Sequence, residues 1–200
     1  MSLTERRDLF EDRSAVFSDC GNYRYRLDRR WDMQRPPLAF GMLNPSTANE
    51  IKNDATIERC ERRARQLGFG SLIVWNLFAY RTVSPKTLRA FPNPVGPEND
   101  NFIRDVMIET SRRGGTIIAG WGSHGLFQER YLYAAELAYQ LHIDLYCLGI
   151  TNSGQPRHPL YVSYESSATP WRPIANCTNS NHQSDRAYSL VEKRSDAFLS

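Results

Sequence analysis

Residues 38–48 read Leu-Ala-Phe-Gly-Met-Leu-Asn-Pro-Ser-Thr-Ala, an apolar run of strand length that ends at a polar turn. Proline removes a backbone donor and biases the preceding residue away from the helical region, so the chain must turn at Asn44-Pro45. In open α/β sheets, ligands bind at the carboxyl ends of the strands. The stretch therefore predicts a core strand with a candidate site at its end, although an ordinary strand-to-helix turn is the alternative.

Three more strand patterns follow this one, and each also ends in polar residues. Helical periodicity with capping residues separates most of the strands, and Asn53 or Asp54 can cap the first helix. Such alternation predicts a three-layer α/β/α fold with a central, mainly parallel four-stranded sheet. The predicted strands are 38–43, 71–75, 116–120 and 145–148. The predicted helices are 54–67, 98–113 and 127–141.

The N-terminal part predicts an additional β-hairpin over about 15–32. Asp-Cys-Gly-Asn at 19–22 is typical of a turn, and residues 23–27 alternate with period two. The charged residues 4–14 are expected to be helical. Beyond Trp171 the composition shifts to Asn, Ser and Asp, so we expect one domain over 1–173 and a polar C-terminal extension over 174–200.

Composition narrows the classes of function. The four cysteines lie far apart without metal-ligand spacing, so we expect neither a metal site nor a disulfide framework. The chain shows no signal-peptide pattern and no apolar run of membrane-spanning length, which predicts a cytoplasmic protein without a membrane partner. The net charge is +3, but arginines cluster, as at 59–65 in the first predicted helix. Such clusters suit a partner with phosphates or a solvated basic face.

The polar strand ends are expected to converge, because parallel strands place their carboxyl ends on one side. The sequence contains no nucleophile elbow, Walker loop or dinucleotide fingerprint. It therefore lacks the motifs that usually carry out acyl transfer, nucleotide hydrolysis and hydride transfer. Amides, hydroxyls, aromatic rings, histidines and a carboxylate remain. Such a set could bind the edge of a planar base, stack it, position a water and stabilise a departing anion.

Three segments carry a resemblance to the uracil-DNA glycosylase superfamily. Residues 41–46 (Gly-Met-Leu-Asn-Pro-Ser) resemble its water-positioning motif, which reads Gly-x-Asn-Pro-Gly in two branches. Residues 72–76 resemble the strand that ends in the base-reading asparagine. Residues 157–160 (Arg-His-Pro-Leu) are similar to its His-Pro-Ser segment. The segments occur in the family's order, and they also resemble a group of bacterial and phage proteins.

The resemblance implies a monofunctional DNA glycosylase that flips a base out of DNA. Such an enzyme needs no cofactor, and the resemblance implies no obligatory protein partner. Departures from the family pattern, such as the extra Leu43, Ser46 in place of glycine and Leu160 in place of serine, favour a damaged or modified base over uracil. A phage-type modified pyrimidine, with a role in antiviral defence, is one such base. The alternatives are an N-glycoside or base-processing enzyme acting on free nucleotides, and a non-catalytic nucleic-acid-binding protein.

Three residues are expected to be catalytic. The resemblance assigns the attacking water to Asn44 and the stabilisation of the leaving base to His158. Asp54 could activate that water or stabilise the sugar cation, but a helix cap is the commoner role of such an aspartate.

The remaining expected site residues divide into two groups. Aromatic members could instead belong to the core, and arginines could instead form surface ion pairs. The expected base-binding residues are Asn76, Phe78, Trp121 and Ser46. The expected DNA-binding residues are Thr47, Arg81, Arg157, Leu160 and His124.

Overall fold

The computed structural model describes residues 2–8 and 12–173, so the predicted extension over 174–200 lies outside the described residues. The predicted core strand is central to the sheet: β4 (Pro37–Met42) has all six residues buried. It pairs in parallel with β5 (Ser71–Asn76) on one side and with β6 (Thr116–Ala119) on the other. The first core strand therefore has a neighbour along both edges.

All eight strands of the described residues belong to a single sheet. The other strands are β1 (Leu3–Asp8), β2 (Arg13–Ser18), β3 (Arg24–Arg30), β7 (Leu145–Cys147) and β8 (Thr169–Pro170). The order across the sheet is β1-β2-β3-β5-β4-β6-β7-β8. The pairs among β5, β4, β6 and β7 are parallel, whereas the pairs that involve β1, β2, β3 or β8 are antiparallel.

The prediction of a central four-stranded, mainly parallel sheet is wrong, because the sheet has eight strands and is mixed. The strand β5 is not an edge strand, because β3 pairs with it in antiparallel orientation. The ribbon of β2 and β3 is thus a continuation of the sheet rather than an added hairpin. The described residues of the predicted helix over 4–14 are extended rather than helical where they pair, because residues 4–8 belong to β1 and residues 13–14 begin β2.

Helices cover both faces of the sheet. On one face, α1 (Ala55–Gln66) begins after its cap Asp54 and packs Ile57, Cys60 and Ala64 onto β4 and β5. The short α2 (Pro85–Ala90) follows β5, and α3 (Asn99–Arg112) and α4 (Arg130–Gln140) pack on the opposite face. Two 3₁₀ segments, Ser123–Glu129 and Pro159–Tyr161, lie in the loops after β6 and β7. Among the described residues, none of these helices combines the length and apolar character of a membrane span.

Gly41 makes room for a large aromatic ring in the core. A Cβ at position 41 would lie 2.4 Å from Cζ2 of Trp75 on the neighbouring strand. Trp75 is fully buried, and its ring centroid lies 6.2 Å from that of Trp121. The missing side chain of Gly41 therefore allows two tryptophans to pack next to the carboxyl ends of β4, β5 and β6.

We expect Gly41→Ala to destabilise the fold by about 1–3 kcal/mol, because the added methyl group overlaps the Trp75 ring. Urea denaturation followed by tryptophan fluorescence measures this loss. In the double variant Gly41→Ala/Trp75→Phe the smaller ring relieves the overlap, so the combined loss should be less than the sum of the two single losses. Strict additivity of the two changes would contradict the proposed overlap.

Candidate functional site

A cleft of about 630 Å³ opens at the carboxyl ends of the parallel strands. Its walls are the loops after β4, β5 and β6, the start of α1 and the loop that contains His158. The chain runs from β4 outward to β5 and then crosses back to β6 and β7 on the other side of β4. The cleft therefore lies where the winding of the sheet reverses, which is where open α/β sheets bind ligands.

Eight of the twelve residues that the sequence predicts for the site line this cleft. They come from loops and strand ends that are distant in sequence, and the sheet topology brings them together. The eight residues are Asn44, Ser46, Asp54, Asn76, Trp121, His124, Arg157 and His158.

Phe78 and Thr47 do not line the cleft. Phe78 is fully buried in the core, where its ring centroid lies 5.1 Å from that of Phe127. Thr47 is exposed on the loop after β4. Phe78 therefore has the alternative role of a core aromatic, because its ring is enclosed by other side chains.

Arg81 and Leu160 also lie outside the cleft lining. Arg81 donates from Nη1 to the backbone carbonyl of Gly21 (3.0 Å), and Leu160 is half-buried in its 3₁₀ segment. The next residue, Tyr161, lines the cleft and is 80% exposed. Tyr161 thus presents an exposed side chain at this rim, whereas the predicted Leu160 is half-buried.

Asn44 is fixed by hydrogen bonds of its amide nitrogen. Nδ2 donates to the backbone carbonyls of Thr82 (2.7 Å) and Pro45 (3.0 Å), which ties the loop after β4 to the loop after β5. Oδ1 accepts no hydrogen bond from any of the described residues. Oδ1 is therefore the atom of this side chain that is available to a water or ligand in the cleft.

The carboxylate of Asp54 caps α1 and also faces the cleft. Oδ1 accepts hydrogen bonds from the backbone N–H groups of Thr56 (3.0 Å) and Ile57 (2.9 Å). Oδ2 has no hydrogen-bond partner in the part of the chain that the structure describes. The cap and the catalytic role are compatible, because each would use a different oxygen.

Asn76, the last residue of β5, carries an unsatisfied amide at the cleft. The residue is 1% exposed, and neither Nδ2 nor Oδ1 has a hydrogen-bond partner among the described residues. An unsatisfied buried polar group costs about 1–3 kcal/mol. A ligand that both donates and accepts, such as the edge of a nucleobase, would satisfy the two atoms together.

His158 lines the cleft, and one of its ring nitrogens is engaged by the backbone. Its Nδ1 accepts from the backbone N–H of Leu160 (3.3 Å), so the proton of the neutral ring is on Nε2. Burial lowers the pKa of His158 below its usual 6.5, and the negative charge of Asp54 opposes this lowering in part. The side chain is therefore a neutral imidazole at neutral pH, with Nε2–H as its donor.

The sequence pattern did not single out Arg24, which lines the cleft and is 2% exposed. Nη1 donates to the backbone carbonyl of Ala48 (2.7 Å), whereas Nε is buried without a partner among the described residues. Burial lowers the pKa of Arg24 to about 9, and the charge of Asp54 opposes the shift. The guanidinium remains protonated at neutral pH, so the cleft holds a buried positive charge.

Two arginines of α1 hold the loop that carries His158. Arg59 donates from Nε to the carbonyl of Pro159 (3.0 Å) and from Nη2 to that of Val162 (2.6 Å). Arg63, which is 1% exposed, donates to the carbonyls of residues 163, 164 and 166. This arginine run is therefore not simply a solvated basic face, because two of its members position a wall of the site.

Exposed basic groups lie at or near the cleft. His124 and Arg157 line it, and Nη2 of Arg89 on α2 lies 3.2 Å from Nδ1 of His124. Lys86 is exposed on the same short helix. Such a rim suits a ligand that carries phosphate groups.

We expect NMR titration to give His158 a pKa below 6.5 and to find the Nε2–H tautomer. Because the pKa of His158 is lower in the folded than in the unfolded protein, the unfolded state binds a proton at a higher pH than the folded state does. The free energy of unfolding therefore falls as the pH drops from about 6.5 to the pKa of His158 in the folded protein. Above pH about 6.5, His158 does not change the stability with pH. Urea denaturation should show a weaker pH dependence for His158→Asn in this range; an Nδ1–H tautomer would contradict the assignment.

We expect Asn76→Leu to raise the free energy of unfolding by about 1 kcal/mol, because it removes a buried amide that has no partner. Asn99→Leu is the matched control. Nδ2 of Asn99 donates to the backbone carbonyls of Asn76 and Leu77, so its loss should destabilise the fold. Chemical denaturation measures both variants, and equal destabilisation by the two would show that Asn76 has a structural partner.

The arrangement of the cleft can be compared with known proteins. Neither the curated proteins nor the solved structures contain a match. A family model described as "Protein of unknown function (DUF1643)" matches residues 24–160, which include Arg24 and all eight predicted residues that line the cleft. Because the match covers more than half of the chain, this protein belongs to the DUF1643 family.

Proposed function

We propose that this protein is a monofunctional DNA glycosylase that hydrolyses the N-glycosidic bond of a flipped, damaged or modified base. The observation that carries the proposal is the buried amide of Asn76, whose donor and acceptor are both unpartnered at the cleft. A base extruded from DNA is read through its hydrogen-bonding edge. Asn76 would bind that edge with one donor and one acceptor.

In the proposed reaction, a water bound to Oδ1 of Asn44 attacks C1′ of the deoxyribose. Asp54 accepts a proton from this water, and its negative charge stabilises the sugar cation that develops in the transition state. The N-glycosidic bond breaks, and its electron pair leaves with the base. His158 stabilises the resulting anion through a hydrogen bond from Nε2–H. This hydrolysis requires no cofactor.

The surroundings of the cleft support DNA as the substrate. The three segments that resemble the uracil-DNA glycosylase superfamily contribute Asn44, Asn76 and His158 to one cleft. The basic rim that includes His124 and Arg157 can bind the phosphates next to the flipped nucleotide. Because the proposed substrate is DNA, we also propose that the protein acts in the cytoplasm.

The function is tested by incubating the purified protein with oligonucleotides that carry uracil, damaged bases or modified pyrimidines. Abasic sites are scored by alkaline strand cleavage, and mass spectrometry identifies the released base. Release from at least one modified oligonucleotide is the expected result. Release from mononucleotides but not from DNA would select an enzyme of free nucleotides, and binding without release would select a non-catalytic role.

The proposed antiviral role requires a base that phage DNA contains and host DNA lacks. We therefore propose a phage-type modified pyrimidine as the target. Treatment of both DNAs with the protein should release a base from the phage DNA alone. Equal release from host DNA would contradict a role in defence but not the glycosylase activity.

We expect Asn44→Ala to lower the single-turnover rate of base release by about 100-fold, because the attacking water loses its acceptor. DNA affinity, measured by fluorescence anisotropy, should change much less. Asn49→Ala is the matched control, since among the described residues Oδ1 of Asn49 accepts only from the backbone of its own turn, at Ile51 and Lys52. Full activity of Asn44→Ala would remove this residue from the mechanism.

A further inference from the structure

A β-bulge in β3 changes the direction of Arg24. Val16 of β2 pairs with Arg26, but the next residue, Phe17, pairs with Arg24, so Tyr25 is an extra residue in the ladder. In an unbroken strand, residues 24 and 26 would lie on the same face of the sheet. The bulge separates them, and bulges of this kind re-aim side chains next to functional sites.

The two arginines consequently have different surroundings. Arg26 donates to Glu109 on α3 (2.7 Å) and to Asp28, so its charge is paired. Arg24 lies on the other side, donates to the carbonyl of Ala48 and lines the cleft. It forms no ion pair with a carboxylate of the described residues, and its Nε has no partner. A buried charge without such a partner is costly unless a ligand supplies acceptors.

The strand order gives the position of Arg24 relative to a bound base. Asn44 follows β4, Asn76 ends β5 and Arg24 begins β3, and these strands are successive neighbours in the sheet. Two strand spacings amount to about 10 Å. With the sugar at Asn44 and the base edge at Asn76, Arg24 lies beyond the base on the side away from the sugar.

We propose that Arg24 determines specificity by binding an oxygen-bearing substituent of the target base. This inference rests on the proposed glycosylase function and adds the substrate class, a base enlarged by acceptor oxygens such as those of a carboxyl or hydroxymethyl group. A guanidinium is the donor that matches paired oxygens best. The cleft volume of about 630 Å³ lies in the range of sites for drug-sized ligands, which leaves room for such a substituent.

The test uses oligonucleotides with cytosine, 5-hydroxymethylcytosine or 5-carboxylcytosine at one position. Each is also made with a 2′-fluoroarabino sugar, which resists cleavage, so that fluorescence anisotropy measures binding without turnover. We expect the unaltered protein to prefer the substituted bases in both binding and base release. In Arg24→Lys the preference for 5-carboxylcytosine should fall by about 10- to 100-fold, because an ammonium group cannot match the two oxygens of a carboxylate.

Arg26→Lys is the matched control, because the same change on the same strand faces α3 and should leave the preference intact. Equal binding of substituted and unsubstituted oligonucleotides by the unaltered protein overturns the inference, even where Arg24→Lys does not fold. An equal loss for all oligonucleotides in Arg24→Lys also overturns it and assigns Arg24 to a backbone phosphate.

The two proposals fail in distinguishable ways. A binding preference that depends on Arg24, without release of any base, retains the role of Arg24 and overturns the glycosylase activity. Base release without any preference for a substituent retains the glycosylase activity and overturns the role of Arg24.

Discussion

The loops after β4 and β5 are hydrogen-bonded to each other beyond the ends of their strands, and the geometry of the cleft depends on this pairing. The N–H of Leu77 donates to the carbonyl of Met42 (2.9 Å), and that of Thr82 donates to the carbonyl of Pro45 (3.0 Å). The side chain of Asn44 donates in return to the carbonyl of Thr82 (2.7 Å). Two loops that would otherwise move separately are thus one unit, so the distance between the two cleft asparagines is set by backbone pairing.

The Asp54 carboxylate affects the protonation of two other groups that line the cleft. Asp54 raises the pKa of both Arg24 and His158, while burial lowers the pKa of each. The balance leaves Arg24 positive and His158 neutral at neutral pH. A carboxylate beside a buried cation and a neutral donor makes the cleft suitable for a ligand that develops both positive and negative charge during reaction.

Interactions within a few residues explain what could be predicted from the sequence. The strand that ends at Asn44-Pro45 and the cap at Asp54 depend on local chemistry, and eight predicted residues do line one cleft. The extent of the sheet could not be predicted, because the pairing of β3 with β5 joins distant segments. Arg24 was missed for the same reason: period-two alternation puts residues 24 and 26 on one face, and the bulge between them arises from the register with β2.

The bonds from α1 to the loop after β7 also affect the order in which the molecule can assemble. Arg59 and Pro159 are separated by 100 residues of sequence, and closing a loop of that length costs entropy. Contacts of such separation tend to form late in folding. A chain still on the ribosome that ends before Pro159 can contain Asn44 and Asn76 but lacks the bonds that hold His158 beside them. The completed cleft therefore requires the chain to have been made through Val162, and shorter chains do not present it.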